Sequence, residues 1–286
     1  MEQKVILSVV TVTYKPDLAE LKLFIDSFYR YNDLGRDACL IIVDNSPLGS
    51  WDTSAITTEY PDVAFISNPS NPGFGTSNNL GFGYCQSEYV LFVNNDVEFL
   101  EPVFGKIIKE FEKDLTIGCI GIHQEGGSPS FFKNMLAPKR CKVDQFDEKI
   151  HFISGAFMFF RSNIFIKIGK FDEKIFMYLE EFDLSYRLIQ AGYHIKYMPH
   201  LSFLHKTGDR RIASMQGWIA GTEAYCHICL KYGFKLKKYF SQKRLWLLIG
   251  YNLTRFNLHE AYSIYKIIII RKKILNKYYL IQNRSL

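Results

Sequence analysis

Short apolar runs alternate with amphipathic stretches over the first hundred residues of the chain. Four runs are rich in β-branched and aromatic residues, as buried parallel strands are: Val5–Val12, Cys39–Val43, Val63–Ser67 and Tyr89–Val93. Between the first two runs, apolar residues recur at the three- and four-residue spacing of a helix over residues 18–31. Strands that alternate with helices predict an α/β fold with a doubly wound, mostly parallel sheet.

Polar residues directly follow these predicted strands. Thr11 and Tyr14 close the first strand, Asp44 follows the second, and the Asn-Asn-Asp sequence at residues 94–96 follows the fourth. The carboxyl ends of parallel strands share one edge of a sheet, which is where open α/β sheets bind ligands. There Tyr14 could stack on a base, and Asp44 could accept a hydrogen bond from a pyrimidine imide.

Asp96 ends the polar sequence at residues 94–96. A carboxylate in this place can ligate a hard cation, and the cation can hold a diphosphate. The alternative is an ordinary polar turn after a core strand, and this stretch alone does not decide between the two.

Residues 71–81 form a glycine-rich segment that runs into a predicted helix. Gly73 and Gly75 resemble half of a dinucleotide fingerprint, but Asn78 stands where its third glycine would be. The segment also does not follow the first strand, and no Walker lysine is present. These departures argue against a hydride-transfer enzyme.

The second half of the chain has its own polar candidates. Residues 152–161 are predicted to form a strand with the small residues Ser-Gly-Ala near its start, and residues 168–173 a turn. Glu180, Glu181 and Asp183 open a helix that stops near Gly192. Acids at a helix start complement its dipole, which is the structural alternative to a carboxylate base aimed into the cleft.

Two further candidates lie near the end of this region. His205 comes after a strand predicted to begin at Ile195–Met198, and it is either a metal ligand or a structural histidine. Lys206, Arg210 and Arg211 could grip phosphate. The irregular residues 126–147 are predicted to be a long loop, either over the site or an ordinary surface excursion.

The net charge of +6 hides an asymmetry along the 286-residue chain. Residues 231–286 contain 13 Lys and Arg but only one acid, Glu260, while the rest of the chain has a net charge of −6. This basic tail is interleaved with aromatic and aliphatic residues, including Trp246 and Ile267–Ile270. Such a pattern suits an interfacial helix or nucleic acid, or it is the solvated face of a helical cap.

The six cysteines lie mostly in apolar contexts, so buried thiols in a reducing cytoplasm are expected. Cys226 and Cys229 form a lone C-x-x-C, for which packing is favoured over zinc. No apolar run reaches the length of a membrane span. Because Met1 leads almost directly into a strand, no secretory signal is expected.

The order of these motifs resembles the inverting family 2 glycosyltransferases of bacteria, and O-antigen and capsule rhamnosyltransferases in particular. The resemblance spans residues 5–211. It rests on the strand ends at residues 11–14 and 43–45, the glycine segment, Asn94-Asn95-Asp96, the Ser-Gly-Ala sequence, the turn at residues 169–173, the helix start at residues 178–187, and His205. It implies a GT-A fold, a nucleotide-sugar donor, Mg²⁺ or Mn²⁺, and inversion at the anomeric carbon.

The resemblance also implies roles by position. Asp96 and His205 would hold the metal, and Glu181 would be the catalytic base, although the family usually has Asp there. Glu180 and Asp183 remain alternatives for the base. The expected donor-side residues are Thr11, Tyr14, Asp44, Gly73, Phe74, Gly75, Asn78, Asn94 and Arg210. The expected acceptor-side residues are Gly155, Ala156, Asp172, Glu180 and Asp183.

These roles predict three regions. Residues 1–98 would bind the nucleotide sugar, residues 99–211 the acceptor, and the basic helical residues 212–286 the inner membrane surface. The expected acceptor is a polyprenyl-diphosphate-linked glycan at the cytoplasmic face, and no nucleic-acid partner is expected. The alternatives are a sugar-1-phosphate nucleotidyltransferase and a non-catalytic membrane- or nucleic-acid-binding module.

Overall fold

One mixed sheet organises the first two thirds of the chain in the computed structural model, which describes residues 5–126, 153–206, 215–236 and 242–284. Its eight strands in the described residues are β1 (Leu7–Thr13), β2 (Ala38–Asp44), β3 (Ala64–Ser67), β4 (Tyr89–Val93), β5 (Val97–Phe99), β6 (Ile117–Glu125), β7 (Phe157–Arg161) and β8 (His194–His205). The helices described are α1 (Leu18–Tyr31), α2 (Ser54–Thr57), α3 (Phe74–Gly83), α4 (Phe104–Lys113), α5 (Ser162–Lys167), α6 (Glu180–Gln190), α7 (Met215–Tyr232), α8 (Gln242–Thr254) and α9 (Leu258–Arg284).

The spatial order of the strands is β3-β2-β1-β4-β7-β6-β8-β5. The first four run parallel to one another, and β6 is parallel to β8. β7 pairs antiparallel with both β4 and β6, and β5 pairs antiparallel with β8. The predicted α/β class with a mostly parallel sheet is therefore confirmed, with β7 reversed at its centre.

Helices cover both faces of this sheet. On one face, α1 and α4 pack on alternate residues of β1, β2 and β4 in one apolar cluster. On the other face, α3, α5 and α6 pack on the intervening residues in a second cluster. α1 begins where predicted because the Asp17 carboxylate accepts hydrogen bonds from Ala19 N at 2.9 Å and Glu20 N at 3.2 Å.

β8 is longer than the strand predicted from Ile195–Met198. It continues past Pro199 to His205, so His205 ends the strand instead of following it. A register shift in the pairing with β6, between Ile122 and His123, accommodates the proline, which cannot donate to a ladder. The strand predicted over residues 152–161 begins only at Phe157, and residues 127–152, which include most of the predicted loop, lie outside the described part.

The three C-terminal helices have apolar clusters of their own. One joins α8 to α9, and the other packs Cys226 and Cys229 of α7 against Leu236 and Leu275. Burial raises the pKa of the Cys226 thiol to about 12, as expected of a packed thiol. None of the helices in the described ranges is long and apolar enough to cross a membrane. Contacts divide the chain into two compact units, and the second contains Lys174–Leu179 together with these helices.

Gly81 allows α3 to approach the sheet closely. A Cβ atom at this position would lie 2.5 Å from Val10 Cγ1 and 3.0 Å from Val43 Cγ2, whereas a Cβ at Gly83 would meet nothing within 4 Å. We expect Gly81→Ala to lower the free energy of unfolding by about 1–3 kcal/mol through overpacking. Gly83→Ala in the same helix should be neutral or stabilise by up to about 1 kcal/mol. Urea denaturation of both variants tests this, and equal stability of the two would contradict the packing described.

Candidate active site

The carboxyl ends of β1, β2 and β4 meet at one edge of the sheet. Thr13 is the register partner of Asp44, and Asn45 N donates to Thr13 O at 2.8 Å. Asn95, directly after β4, donates through its side-chain amide to Thr13 Oγ1 at 3.2 Å. The polar residues that follow three separate strands in the sequence are thus brought together at this edge.

Asp44 is buried and its carboxylate is fixed from both sides. Its Oδ1 accepts from Ser46 N at 3.0 Å and from Ser46 Oγ at 2.5 Å, and its Oδ2 accepts from Trp51 Nε1 at 3.0 Å. Ser46 Oγ in turn accepts from Lys15 N at 2.7 Å. This network holds the carboxylate in one orientation and ties the end of β2 to the loop after β1.

Of the two candidates from the first strand, only Tyr14 is open to a ligand. Its ring is half exposed, and the Lys15 ammonium lies 5.6 Å from the ring centroid. Thr11 is fully buried inside β1, and its Oγ1 has no hydrogen-bond partner among the described residues. Thr13, two residues later, is the threonine that reaches the other strand ends.

The glycine-rich segment begins α3. Gly73 precedes the helix with a φ of +107°, a conformation that favours glycine. Asn78 is buried and donates to Phe74 O at 3.0 Å, so it stabilises the first turns from within. A Cβ at Gly75 would lie 3.0 Å from Phe171 Cβ, so this glycine admits the aromatic residue of the later turn.

Asn79 fastens α3 to the turn at residues 168–173. Its side-chain amide donates to Phe171 O at 3.0 Å and to Glu173 Oε1 at 3.3 Å, while its Oδ1 accepts from Phe171 N at 3.1 Å. The glycine segment and the turn that contains Asp172, for which the sequence predicted donor and acceptor roles, are therefore directly connected. Asp172 itself is half-buried.

Asp96 and His205 converge although more than a hundred residues separate them. His205 Nε2 lies 3.1 Å from Asp96 Oδ1 and 3.4 Å from Asn94 Nδ2. The register pair Val97 and His205 between β5 and β8 brings the histidine to this place. Directly after the histidine, Lys206 N donates to Asp96 O at 2.9 Å and so ties the end of β8 to the turn that contains Asp96.

These two side chains suit a divalent cation. A carboxylate oxygen and an imidazole nitrogen are ligands that divalent cations accept, and Asp96 Oδ1 and His205 Nε2 lie 3.1 Å apart. His205 Nδ1 has no hydrogen-bond partner within the described ranges. No group of three or more metal-binding side chains occurs in the described part of the chain. A cation held here would therefore need further ligands beyond the described side chains, such as water or substrate oxygens.

Gly155 and Ala156 lie directly beside this pair. Asn94 N donates to Ala156 O at 3.2 Å, because β7 pairs antiparallel with β4. A Cβ at Gly155 would lie 3.7 Å from Cδ and Oε2 of Glu181, so the Glu181 carboxyl group rests against this glycine. The segment before β7 thus connects the Glu181 side chain to the turn that contains Asp96.

Asp183 has a different environment. It is fully buried, and its Oδ2 accepts from Arg187 Nε at 2.9 Å and from Arg187 Nη2 at 2.5 Å. Arg187 also donates to Ile168 O and, at 2.6 Å, to Lys170 O. Asp183 therefore holds Arg187 in place, and Arg187 anchors α6 to the turn before it. Glu180 is also buried, whereas Glu181 is only half-buried, which makes Glu181 the more accessible of the three acids.

Arg210 lies outside the described residues, so its predicted place at the donor is not described. Ser46, Trp51 and Asn79 contribute to the site without being predicted as site residues, and Thr13, within the strand end expected at the edge, takes the place assigned to Thr11. Asn79 belongs to the glycine-rich segment, so its position was available as a signal. Trp51 follows Asp44 by seven residues in an irregular loop, and nothing local indicates its contact.

Comparisons with known proteins identify the family of the chain. Residues 8–169, more than half of the chain, match the model of the family described as glycosyl transferase family 2. The chain is 24% identical over 236 residues to the N-acetylglucosaminyl-diphospho-decaprenol L-rhamnosyltransferase of Mycobacterium tuberculosis, covering 70% of this chain and 76% of that protein. It is 25% identical over 176 residues to the rhamnosyltransferase WbbL of Escherichia coli, covering 52% and 66% respectively.

A solved structure shares the fold over nearly the whole chain. The mannosyltransferase of Pyrobaculum calidifontis, in complex with GDP-Man and Mn²⁺, superposes with a TM-score of 0.61 at 15% identity and covers 99% of this chain and 87% of its own. The family match also decides against the sugar-1-phosphate nucleotidyltransferase and the non-catalytic module. The chain belongs to glycosyl transferase family 2 and is a glycosyltransferase with a GT-A fold.

Proposed function

We propose that this glycosyltransferase inverts the anomeric carbon as it moves a sugar from a nucleoside diphosphate donor to a glycan hydroxyl. The proposed sugar is rhamnose from dTDP-rhamnose, in the synthesis of a surface polysaccharide such as O-antigen or capsule. The support is that two relatives in different bacteria are named rhamnosyltransferases.

The observation that carries the proposal is the placing of two kinds of carboxyl group on neighbouring segments. Asp96 faces His205 at 3.1 Å, and Glu181 rests on Gly155, whose neighbour Ala156 bonds to Asn94. Inverting transfer needs a base on the incoming hydroxyl and a cationic partner for the departing diphosphate. Glu181 is the candidate base, and Asp96 and His205 are candidate ligands for the cation.

In the proposed reaction, Glu181 accepts the proton of the acceptor hydroxyl while the hydroxyl oxygen attacks the anomeric carbon. A bond from that oxygen to the carbon forms, and the bond from the carbon to the diphosphate oxygen breaks. The electron pair leaves with the nucleoside diphosphate. Attack from the face opposite the leaving group inverts the configuration, and the Asp183–Arg187 pair keeps the start of α6 in place during the step.

On the donor side, Asp44 is proposed to accept from the imide of a pyrimidine, and Tyr14 to stack on the base. Phe74 and Asn94 would line the path of the diphosphate, and the buried Gly73, Gly75 and Asn78 would shape the backbone beside it. Asp96 and His205 would hold Mg²⁺ or Mn²⁺, and Mn²⁺ is present in the mannosyltransferase of similar fold. The bound ion would neutralise the diphosphate as it leaves.

The acceptor is proposed to be a glycan on a polyprenyl diphosphate, reached by a protein that sits peripherally on the cytoplasmic face of the membrane. The support is that the relative from M. tuberculosis is named for a decaprenol-diphosphate acceptor. Residues 1–98 would then serve the donor and residues 99–211 the acceptor. The basic residues 212–286 would serve the membrane.

A panel of nucleotide sugars tests the donor. We expect dTDP-rhamnose, incubated with Mn²⁺ and an N-acetylglucosaminyl lipid acceptor, to release dTDP faster than UDP-, GDP- or CMP-linked sugars release their nucleotides. The anomeric configuration of the product, read by NMR, tests inversion. Turnover of another donor in preference to dTDP-rhamnose would overturn the rhamnose assignment but not the family.

Asp96→Asn tests the proposed metal site. Removing a residue that only hydrogen-bonds to a metal ligand typically lowers metal affinity by about 10–100-fold. Removing a ligand itself should therefore weaken the Mn²⁺-dependent binding of dTDP by at least that factor. Titration calorimetry with and without Mn²⁺ measures it. Glu98→Gln is the matched control, since Glu98 is a nearby acid that pairs with Lys206 at 2.9 Å. Unchanged Mn²⁺ dependence in Asp96→Asn would refute the role.

Glu181→Gln tests the proposed base. Proton transfer by a positioned side chain contributes about 10²–10⁴-fold, so kcat should fall by that factor while donor affinity barely changes. Glu181→Asp should keep part of the activity, because Asp is the usual family residue.

Two neighbouring acids serve as controls for Glu181. Asp183→Asn should mainly lower stability, by about 3–5 kcal/mol, because it leaves the Arg187 charge without its buried partner. Glu180→Gln should retain turnover. If Glu181→Gln turned over at the wild-type rate while a folded Glu180→Gln or Asp183→Asn did not, the base would have to be reassigned.

A further inference from the structure

The turn between α8 and α9 exposes several large apolar side chains close together. Leu253, Phe256 and Leu258 are all exposed, Phe256 by 91% and Leu258 by 67%. Tyr251 and Tyr262, in the adjoining helix ends, are exposed as well. We refer to residues 251–262 as the hairpin tip. Single exposed apolar residues are common on proteins, but a contiguous patch of them indicates an interaction site.

The hairpin tip is an ordered turn. Phe256 N donates to Leu253 O at 3.1 Å, and Asn257 N donates to Asn252 O at 2.9 Å. Phe256 has a φ of +56°, in the left-handed region that disfavours a bulky side chain. Because Phe256 is almost fully exposed, packing within the protein does not compensate for this conformation. The turn therefore holds an aromatic ring out into the surroundings.

Packing between α8 and α9 does not use these residues. The two helices bury a separate cluster that contains Leu245, Ile249, Ile264, Ile267 and Ile268. The Ile267–Ile270 stretch, part of the pattern that suggested an interfacial helix, therefore lies partly in the core, because Ile267 and Ile268 pack in this cluster whereas Ile269 is exposed. The exposed apolar side chains of the tip form a second set, separate from the buried side chains that hold α8 and α9 together.

Basic side chains lie beside two tyrosines of the hairpin tip. The Lys266 ammonium lies 4.4 Å from the ring centroid of Tyr262, and the Arg255 guanidinium lies 5.2 Å from that of Tyr251. Lys273 is exposed and follows Lys266 by seven residues, so both lie on the face of α9 that carries Tyr262. Tyrosines beside lysines and arginines are typical of surfaces that lie in the headgroup region of a bilayer.

We propose that the hairpin tip docks the protein on an anionic lipid bilayer. Phe256 and Leu258 would enter the boundary between headgroups and acyl chains, while Arg255, Lys266 and Lys273 would contact anionic headgroups. Charge favours lipid over a second copy of the chain, because two copies would bring like-charged surfaces together. Lysine is also depleted in the cores of protein–protein interfaces. The proposal rests on the peripheral membrane location proposed above and identifies the surface that would bind the membrane. It does not depend on the roles of Asp96 or Glu181.

Vesicle flotation of the full chain tests the docking surface. We expect the protein to float with vesicles of phosphatidylcholine and phosphatidylglycerol, not with phosphatidylcholine alone, and to be released by salt. The double variant Phe256→Asn, Leu258→Gln should bind at least about tenfold more weakly. Asn tolerates the left-handed backbone at position 256, so the turn keeps its shape. Lys266→Gln and Lys273→Gln should each weaken binding about fivefold.

The matched control is the double variant Leu48→Gln, Leu115→Gln. These leucines are 79% and 73% exposed in the sheet region, so their loss removes a similar amount of exposed apolar surface without touching the tip. The control should float like the wild type, and circular dichroism should show that both double variants are folded.

Three results would overturn the proposal. The first is equal flotation of the wild type with both kinds of vesicle. The second is equal flotation of the tip variant and the wild type. The third is a wild-type dimer in sedimentation that the tip variant abolishes, with no flotation of either, which would identify a second copy as the occupant. Flotation needs neither donor nor acceptor, so its failure is distinguishable from failure of the proposed reaction.

Discussion

The antiparallel pairing of β7 with β4 is the constraint on which the proposed site depends. β4 ends at the turn that contains Asp96, and the segment before β7 ends with Gly155 and Ala156, so reversing β7 brings these two ends together. A parallel β7 would leave them at opposite edges of the sheet. The bond from Asn94 N to Ala156 O is the direct result. Through it, the side chain of Glu181 lies near the Asp96 turn although the two belong to different halves of the sequence.

Burial separates the roles of the three acids at the start of α6. Asp183 is buried and forms an ion pair with Arg187. This pair fixes the helix to the preceding turn. Glu181 is the most exposed of the three. The helix start therefore contains both a structural acid and a chemically available one within three residues. The sequence sets a dipole role for these acids against a catalytic one, whereas the structure pairs Asp183 with Arg187 and leaves Glu181 accessible for the proposed role as base.

The fold was predictable from the sequence wherever the signal was local. The helix over residues 18–31 and the strand at Tyr89–Val93 follow from periodicity and β-branched content alone, and their bounds agree with the structure. The direction of β7 and the approach of His205 to Asp96 depend on pairings between distant strands, which periodicity does not encode. The convergence of those residues was expected only from the resemblance to a family. The Trp51 contact with Asp44 has no signal of either kind.

The turn at residues 168–173 is held by two side chains that belong to different helices. Asn79 of α3 bonds to both the N–H and the carbonyl of Phe171, and Arg187 of α6 takes the carbonyls of Ile168 and Lys170. Gly169 and Lys170 also both adopt a positive φ. The length and path of this turn are thus fixed by residues that lie far from it in sequence. An exchange of this segment between relatives, made to alter which sugars are accepted, would have to carry the asparagine and the arginine with it.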